Sequence, residues 1–471
     1  MVKKQKLKPE LPLGFQDKQE NNLQIKNKLI EDIKKNFSLF GFEELETSSF
    51  EFTENLGKFL PDEDRPENGV FSFKDGKDWI SLRYDLTAPL SRYVAKNFDN
   101  LPRPFKRFQI GTVFRNEKPG PGRYREFNQI DADIVGSANR LADAELCVLL
   151  DDTFKKIGLS QSQYTINISN RKLIQGLFEE IKLSDAKKKI TAIRAIDKLD
   201  RLGLDGVIQL LSKGRKDRSG DFTKGANLKD QEIEMIVNFL KCGSDLDKAK
   251  QLSKNKIFNE GIEELKEIFS YLNNSNCSFA PTLVRGIEYY TGPIFEAVLT
   301  EKIKNNKGQV VEFGSVGGGG RYDNLISRFK GTEYPATGIS IGLDRLIYAI
   351  QQIKKNTFVN TAPVVICVLD KTKYAKYLEI LNTLRSASIN SEIYSGDAGL
   401  KAQFKYADKR SAPAIVIFGD DEEKEGVVSV KNLKQGKLDS ESIKDREEWK
   451  KSEAQIKVKL GDLVNAIKKI L

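Results

Sequence analysis

The amino-acid sequence predicts an α+β core with an antiparallel hairpin, a helical insertion in that core, and a small α/β domain at the C-terminal end. Residues 114–136, FRNEKPGPGRYREFNQIDADIVG, contain two alternating runs around a Pro-Gly-Pro-Gly turn, which is typical of a hairpin. Residues 171–265 are rich in lysine and show helical spacing with few strand signals. From Pro363 onward, strand and helix signals alternate, which indicates a small domain with a mostly parallel sheet.

Further elements of the core follow from hydrophobic periodicity. Residues 20–40 have helical apolar spacing, a second helix is expected to start near Thr87, and residues 141–159 form a strong amphipathic pattern. Strand signals return after the helical insertion in three stretches: LVRGIEYYTGPIFEAVLT, VVEFGSVGGGGRYDNLI and ATGISIGLDRLIYAI. A polar linker, KKNTFVNTA, then precedes the last domain.

Composition places the chain among ordinary globular proteins. Its 471 residues allow two or three domains, and 39 % of them are hydrophobic and 31 % charged. No apolar run approaches the roughly 20 residues of a membrane span, and the basic N-terminus lacks an apolar signal core, so we expect a cytoplasmic protein with no membrane segment. The four cysteines are far apart, which favours reduced thiols over a metal or disulfide framework.

The charged residues restrict the chemistry. A net charge of +10 is compatible with a lysine-rich solvated surface or with a polyanionic partner, and composition leaves both open. The chain contains no histidine. Imidazole general bases, His-ligated metal sites and Ser-His-Asp or Cys-His nucleophiles are therefore excluded.

The hairpin carries polar side chains where a buried strand should be apolar. Because side chains alternate along a strand, Arg115 and Glu117 are expected on one face of the first strand. The second strand is expected to present six residues on one face: Arg123, Arg125, Phe127, Gln129, Asp131 and Asp133. This face is basic near the turn and acidic at the far end, so it matches a ligand with a polyanionic end and a cationic end, such as ATP beside an amino acid. A solvent-exposed face with salt bridges has the same pattern.

Other stretches are also ambiguous when taken alone. Asp85 and Thr87 precede a helix, where they could receive an ammonium group or cap the helix. Arg285 lies on an otherwise apolar strand and needs an anion, which could be an internal carboxylate or a ligand phosphate. The four glycines 317–320 allow close approach to a ligand, or form a flexible turn. Arg345 falls in a first helical turn, where a cation is unfavourable unless an anion binds there.

Together these stretches resemble the histidyl-tRNA synthetase family, which belongs to the class II aminoacyl-tRNA synthetases. The hairpin resembles class II motif 2 and GISIGLDRL resembles motif 3. LVRGIEYYTGPIFE and GGGGRYDNL resemble the two histidine-specific signatures. LPLGFQD resembles the family's N-terminal start, and LKAQFKYADKRSAPAIVIFGDDE resembles its C-terminal anticodon-binding domain.

The resemblance implies a fold and a set of domains. The fold is a class II antiparallel sheet with helices, followed by an α/β anticodon-binding domain. The catalytic core would occupy residues 1–170, which carry motifs 1 and 2, and residues 266–355, which carry the histidine signatures and motif 3. The helical insertion would occupy residues 171–265 and the anticodon-binding domain residues 361–471.

The resemblance also implies how ATP is held. Arg115 would bind the α-phosphate and Glu117 the adenine, while Arg123 and Arg345 would bind the outer phosphates and the adenine face. Arg285 would stabilise charge at the α-phosphate during attack. The catalytic set implied is Arg285, Arg115 and Gln129.

The resemblance implies seven histidine-binding residues: Asp85, Thr87, Gln129, Asp133, Arg285, Tyr289 and Tyr290. Asp85, Thr87 and Gln129 would take the α-amino group, and Asp133 and Tyr290 would bind the imidazole ring. Tyr289 and Tyr290 point to opposite faces of the strand, so at most one of them should line a given pocket wall.

The implied activity is ligation of histidine to tRNA-His, with ATP as substrate, Mg²⁺ on the triphosphate and a homodimer as the assembly. Two alternatives share the core: a non-catalytic regulatory subunit of ATP phosphoribosyltransferase, and a sensor that binds histidine or tRNA without chemistry. The sequence departs from the family pattern at three positions and in the loop KPGPG, which differs from the common bacterial form and would meet the tRNA acceptor end. Ser48 stands where motif 1, which builds the dimer interface, usually has proline, and Asn116 and Asn128 stand where many members have histidine.

Overall fold

The computed structural model of the chain divides into two compact units, Met1–Asn356 and Thr357–Leu471. The described residues are 8–56, 69–120, 122–216, 220–284, 290–304, 310–353, 362–435 and 455–471.

The first unit contains thirteen described strands. In chain order they are β1 (Glu43–Glu44), β2 (Phe50–Phe52), β3 (Ser72–Asp75), β4 (Asp78–Leu82), β5 (Phe105–Phe114), β6 (Glu126–Val135), β7 (Tyr164–Asn170), β8 (Gly214–Lys216), β9 (Phe222–Lys224), β10 (Cys277–Phe279), β11 (Pro293–Lys304), β12 (Val310–Arg321) and β13 (Ala336–Gly342). Eight of them form one sheet in the order β1-β5-β6-β13-β12-β11-β7-β10. The six central strands pair antiparallel with one another, and the edge strands β1 and β10 pair in parallel with β5 and β7.

Twelve described helices accompany these strands. They are α1 (Glu20–Leu39), α2 (Thr53–Leu56), α3 (Thr87–Lys96), α4 (Arg140–Lys156), α5 (Arg171–Glu180), α6 (Ala186–Ile196), α7 (Leu199–Leu211), α8 (Asp230–Leu240), α9 (Leu246–Lys250), α10 (Lys256–Tyr271), α11 (Ser327–Lys330) and α12 (Leu343–Ile353). The helices predicted from periodicity in the first part of the chain are confirmed as α1, α3 and α4.

The β5–β6 hairpin is the predicted one, and its two faces explain its unusual composition. Ile130, Ala132 and Ile134 of β6 are buried in the main hydrophobic core, together with apolar side chains of α1 and α4. The alternate residues of β6 lie on the opposite face, where side chains of β5 and β13 accompany them. The polar face is therefore opposite the helices that cover the sheet, and it is available for a site.

The register of the sheet determines which residues share that face. Arg107 is directly opposite Asp133 across the β5–β6 pair. On the other side of β6, Asp131 is opposite Ser340 and Gln129 is opposite Gly342. Directly opposite residues in a sheet point to the same face, so these side chains converge on one surface.

The segment predicted as a helical insertion holds α5 to α10 and a two-stranded ribbon, β8–β9, which the sequence did not predict. Its apolar side chains, among them Leu211, Phe239 and Phe258, belong to the same buried cluster as those of the eight-stranded sheet. The segment thus shares a continuous hydrophobic core with the sheet.

The second unit is a five-stranded sheet with helices. Its elements are β14 (Val364–Ile366), α13 (Tyr374–Ser386), β15 (Ser391–Ile393), α14 (Leu400–Lys409), β16 (Ala414–Ile417), α15 (Asp420–Glu425), β17 (Val428–Asn432), β18 (Gln455–Val458) and α16 (Leu463–Lys468). The predicted strands β14, β15 and β16 are parallel, but β17 and β18 pair antiparallel, so the expectation of a mostly parallel sheet is wrong. The connection that holds α15 is too short for the crossover that a parallel strand requires.

Among the described residues, no helix is both long and apolar enough to cross a membrane.

Candidate active site

A cavity of about 380 Å³ opens beside the turn of the β5–β6 hairpin. Its walls come from the hairpin, from β12 and β13, and from the start of α12. Six residues predicted from the sequence line it: Arg115, Glu117, Arg123, Gln129, Tyr290 and Arg345. Asp85, Thr87 and Asp133 are not among its described lining residues.

Arg115 and Glu117 are held in place by Tyr84. The guanidinium of Arg115 lies over the rings of Tyr84 and Phe127, 4.4 and 5.3 Å from their centroids, and its Nε donates to the Tyr84 carbonyl at 3.3 Å. The Tyr84 hydroxyl donates to Glu117 Oε1 at 2.9 Å. Burial raises the pKa of Tyr84 to about 12, so the phenol stays a neutral donor at physiological pH. No sequence pattern indicated Tyr84 as a site residue, apart from its position next to Asp85.

Arg345 lies in the first turn of α12, as predicted. Its guanidinium is 4.6 Å from the centroid of the Phe313 ring and donates to the Phe313 carbonyl oxygen. The hairpin turn comes close to both, because a Cβ on Gly122 would lie 3.4 Å from Phe313 and 3.8 Å from Arg345. Gly122 has a φ of +64°, which favours glycine. The turn thereby places Arg123 on the same cavity as Arg345.

Asp344 ties the hairpin to the start of α12. Its carboxylate accepts hydrogen bonds from the Asn128 backbone N–H at 2.6 Å and from Asn128 Nδ2 at 3.0 Å, and it pairs with Lys18 at 2.5 Å. Lys26 donates to Asn128 Oδ1 at 3.1 Å. Asn128 and Asp344 immediately precede Gln129 and Arg345, so this network sets the relative positions of two cavity residues. Sequence reasoning missed it, because the two segments are 216 residues apart.

Gln129 lies at the centre of the polar face. Its Nε2 donates to Ser340 Oγ at 2.9 Å. Its Oε1 is buried and has no hydrogen-bond partner within the described part of the chain. A ligand in the cavity could supply the missing donor.

Further along β6 the face becomes acidic and closed. Arg107 Nη2 lies 2.8 Å from Asp133 Oδ2, and both side chains are fully buried. The Tyr322 hydroxyl also donates to Asp133. Burial raises the pKa of Asp133, and the Arg107 charge and the Tyr322 hydrogen bond oppose that rise. The sequence analysis did not identify Arg107 or Tyr322 as site residues. Arg107 lies opposite Asp133 in the hairpin, and Tyr322 belongs to the GGGGRYDNL stretch.

Asp85 caps α3, which is one of the two interpretations that the sequence left open. Its Oδ1 accepts from the backbone N–H groups of Thr87 at 3.1 Å and of Ala88 at 2.9 Å. Thr87 is the first residue of the helix and is buried. Their proposed contact with an amino group stays a prediction.

The glycine run 317–320 is part of β12, so the interpretation as a flexible turn is wrong. A Cβ on Gly319 would lie 2.0 Å from the Gly338 carbonyl oxygen, and a Cβ on Gly338 would lie 2.0 Å from Asp133 Oδ1. Glycine at these positions lets the strands approach and leaves room for the Asp133 carboxylate. Gly317 and Gly318 themselves line the cavity.

Comparison with known proteins identifies the family. The family model described as histidyl-tRNA synthetase matches residues 14–346, and the model described as an anticodon binding domain matches residues 363–470. The chain belongs to the histidyl-tRNA synthetase family. The first match covers the eight-stranded sheet with its inserted helices, and the second covers the C-terminal unit.

Curated relatives match the chain along its whole length. A histidine–tRNA ligase of Bartonella henselae is 47 % identical over 487 aligned positions, which cover 100 % of this chain and 98 % of that protein. A histidine–tRNA ligase of Brucella suis is 46 % identical and covers 100 % of this chain and 97 % of its own length.

Solved structures of the histidyl-tRNA synthetase family share the fold. The enzyme from Nostoc sp. PCC 7120 superimposes with a TM-score of 0.73 at 26 % identity, covering 99 % of this chain and 100 % of that one. An ATP phosphoribosyltransferase regulatory subunit/histidyl-tRNA synthetase from Bacillus halodurans superimposes with a TM-score of 0.66 at 20 % identity, over 85 % of this chain and 97 % of that one. The predicted class II core and C-terminal anticodon-binding domain are confirmed.

Two residues assigned by the family resemblance, Arg285 and Tyr289, lie outside the described residues. Their neighbour Tyr290 is described, is half-buried, and lines the cavity. The roles of Arg285 and Tyr289 stay predictions.

The departures from the histidyl-tRNA synthetase pattern in motif 2 have structural roles of their own. Asn116 accepts a hydrogen bond from Arg125, whose guanidinium lies 5.5 Å from the centroid of the Phe71 ring. Alternation along the strand predicts that Arg125 lies on the cavity face. Its contacts with Asn116 and Phe71 show that it is turned away from that face. Asn128 carries the contacts to Asp344 and Lys26 described above.

Proposed function

We propose that this protein is a histidine–tRNA ligase that activates histidine with ATP and transfers it to the 3′ end of tRNA-His. The observation that carries the proposal is one cavity that gathers three arginines with Gln129 and Tyr290. The chain is a member of the histidyl-tRNA synthetase family, and full-length relatives at 47 % identity are histidine–tRNA ligases.

The basic end of the cavity binds ATP. Arg115 contacts the α-phosphate, and Arg123 and Arg345 contact the outer phosphates and the adenine face. Tyr84 supports this assignment, since its ring and hydroxyl hold both Arg115 and Glu117, the residue assigned to adenine. Guanidinium groups offer paired donors that suit phosphate oxygens.

Mg²⁺ accompanies the triphosphate in this proposal. The described residues contain no cluster of three or more side chains that could hold a metal by themselves. Mg²⁺ ordinarily takes one or two carboxylates beside substrate phosphates, and Glu117 and Asp344 line the cavity. Asp344 is engaged by Asn128 and Lys18, and Glu117 is assigned to adenine, so the phosphates of ATP would themselves hold most of the ion. Bound there, Mg²⁺ would neutralise charge on the phosphates.

The acidic end binds histidine. Gln129, with Asp85 and Thr87, receives the α-amino group, and Asp133 and Tyr290 bind the imidazole ring. A buried carboxylate fixed by Arg107 and Tyr322 is a rigid acceptor for a ring N–H. A site built for such a hydrogen bond rejects amino acids that lack it.

The two steps need no protein imidazole. The histidine carboxylate oxygen forms a bond to the α-phosphorus as the bond to pyrophosphate breaks. A terminal ribose hydroxyl of the tRNA then attacks the carbonyl carbon, AMP leaves, and the adenylate phosphate accepts the proton. The protein contributes orientation and preorganised positive charge.

The C-terminal unit recognises the anticodon of the tRNA. The protein acts in the cytoplasm in this proposal, because tRNA is charged there. The match to an anticodon-binding model over residues 363–470 supports this part of the proposal. A chain that ends near Asn360 should form adenylate but charge tRNA poorly. Equal charging by the short and full chains would overturn the assignment.

A homodimer completes the proposal. Phe50, Phe52 and Phe73 are about half exposed on one face of the β2-β4-β3 sheet, and β2 begins two residues after Ser48, the position assigned to motif 1. Phe52→Glu should shift the protein toward monomer in sedimentation velocity. Trp79→Glu is the matched control, because Trp79 is equally exposed on the opposite face of that sheet.

Histidine-dependent exchange of pyrophosphate into ATP tests the enzyme directly. The wild-type protein should support exchange with histidine and with no other standard amino acid. Arg285→Ala should slow adenylate formation by on the order of 10²–10³, the usual effect of removing one preorganised donor. Absence of exchange in the folded wild-type protein would favour the regulatory-subunit or sensor alternative.

A further inference from the structure

Asp131 is a buried carboxylate on the polar face of β6 to which the preceding assignments give no task. It is 2 % exposed and lies between Gln129 and Asp133 on the same side of the strand. Its cross-strand neighbour is Ser340, which lines the cavity and already accepts a hydrogen bond from Gln129.

Two adjacent acceptors on this face lack donors. Asp131 Oδ1 and Gln129 Oε1 are both buried and have no hydrogen-bond partner among the described residues. A buried acceptor left without a donor costs about 1–3 kcal/mol, and more when it is charged. Two such atoms on successive side chains of one strand face indicate a ligand that brings several N–H donors to this face.

The carboxylates around Asp131 outnumber the guanidinium groups near it, which favours binding of a cation. Three carboxylates, Asp85, Asp131 and Asp133, interact electrostatically in this part of the site. In the described structure two guanidinium groups, Arg83 and Arg107, are close enough to act on Asp131. Burial and then the Asp133 charge raise the pKa of Asp131 to about 7, and the Arg107 charge and a hydrogen bond with Ser340 oppose that rise.

We propose that Asp131 is a further substrate-binding residue, and that its Oδ1 accepts a hydrogen bond from the α-ammonium group of the amino acid. The ammonium group carries three N–H donors and one positive charge, so it matches both unpaired acceptors and the excess of carboxylates. Gln129 and Asp131 would share it, with Ser340 holding Gln129 in position. The inference rests on the proposed function, since it concerns the amino acid of that same site.

The test separates the ammonium group from the rest of the ligand. Binding of L-histidine, L-histidinol and 3-(imidazol-4-yl)propionate is measured by calorimetry on the full-length wild-type, Asp131→Asn and Asp152→Asn proteins. Histidinol keeps the ammonium and loses the carboxylate, whereas the propionate keeps the carboxylate and loses the ammonium. Asp152→Asn removes the same charge from the partly exposed outer side of α4.

Asp131→Asn should weaken histidine and histidinol by about 10- to 100-fold, the usual range for a hydrogen bond to a charged group. It should change the affinity for the propionate by less than about threefold, and Asp152→Asn should change none of the three. If circular dichroism shows that Asp131→Asn is unfolded, Asp131→Ser is measured in the same way.

The possible failures are distinguishable. A folded wild-type protein that binds no histidine contradicts the proposed function itself. A second failure is possible when the wild-type protein binds histidine normally. If the Asp131 variant then binds all three ligands equally more weakly, or none of them more weakly, Asp131 is only a structural partner of Arg83 or Arg107.

Discussion

Arg107 and Asp133 form an ion pair across the β5–β6 hairpin, with Nη2 and Oδ2 2.8 Å apart and neither side chain exposed to solvent. Arg107 also donates to the Leu86 carbonyl at 3.1 Å, just before α3 begins. The pair therefore links the carboxylate proposed to bind the imidazole ring to the segment that holds Asp85 and Thr87. It connects the stability of the sheet to the shape of the histidine site.

Arg107→Met should be strongly destabilising. It leaves the Asp133 carboxylate buried without its cation, and loss of one partner from a buried pair costs about 3–5 kcal/mol. Urea denaturation of the variant measures this loss. Arg103→Met is the control, because Arg103 is half exposed at the surface before β5.

The double variant Arg107→Met, Asp133→Leu separates the effect of the ion pair on protein stability from its effect on histidine binding. Replacing a whole buried pair by apolar residues is often neutral, so the unfolding free energy should recover toward the wild-type value. Histidine binding should not recover, because the ring acceptor is gone. Recovery of both would contradict the assignment of Asp133.

Tyr322→Phe should weaken histidine selectively. The hydroxyl donates to Asp133 and fixes its orientation, and loss of one such hydrogen bond costs about 1 kcal/mol or somewhat more. We expect the KM for histidine in pyrophosphate exchange to rise by about 5- to 20-fold while the KM for ATP stays within about twofold. Tyr334→Phe serves as control, because Tyr334 packs against Phe98 outside the cavity. A parallel rise for ATP would place Tyr322 in general packing.

The sequence was sufficient for the local elements and for residues next to the hairpin turn. Alternation along the strand placed Phe127, Gln129, Asp131 and Asp133 on one face, because that inference needs only the period of two. Arg125 broke the pattern, since it precedes the regular strand and turns to Phe71 and Asn116.

The remaining site residues depend on strand order, which local patterns do not encode. Tyr322 contacts Asp133 although the two are 189 residues apart in the sequence. The contact forms because only β13 separates β12, which precedes Tyr322, from β6 in the sheet. Asp344 reaches Asn128 for the same kind of reason. Neither contact has a periodic signature in the sequence. The family resemblance supplied the roles of Asp85 and Thr87, because the pattern alone favoured a helix cap.

Asp344→Ala should reduce activity through position and not through direct loss of a ligand contact. The Asn128 backbone N–H and Lys18 lose their common acceptor, so Gln129 and Arg345 lose their fixed spacing. We expect kcat for pyrophosphate exchange to fall by about 10- to 100-fold, since small misplacements in a preorganised site reduce the rate strongly. Lys18→Met removes the charge partner but keeps the backbone hydrogen bond, so its effect should be smaller. Equal effects of the two variants would show that the ion pair, and not the bond to Asn128, is what matters.

Asp131→Asn should change the pH dependence of stability in a direction fixed by its pKa. The carboxyl has an ordinary pKa of 3.8 and a folded-state pKa of about 7, raised by burial and then by Asp133. Between these values the folded protein binds more protons than the unfolded chain, so its unfolding free energy falls as pH rises. Asparagine resembles the protonated acid and does not titrate, so the variant lacks this loss.

The ligand-free variant should therefore match the wild-type protein near pH 4 and exceed it in unfolding free energy above pH 7, by about 1–3 kcal/mol, the usual cost of a buried group without its partner. Urea denaturation of both proteins across this range measures the difference. Saturating histidine should reverse the order at pH 8, because its ammonium group pairs with ionised Asp131 only in the wild-type protein. If the ligand-free variant is instead the less stable protein at pH 8, then Arg83 or Arg107 already stabilises the ionised carboxylate, and no cation is missing from the site.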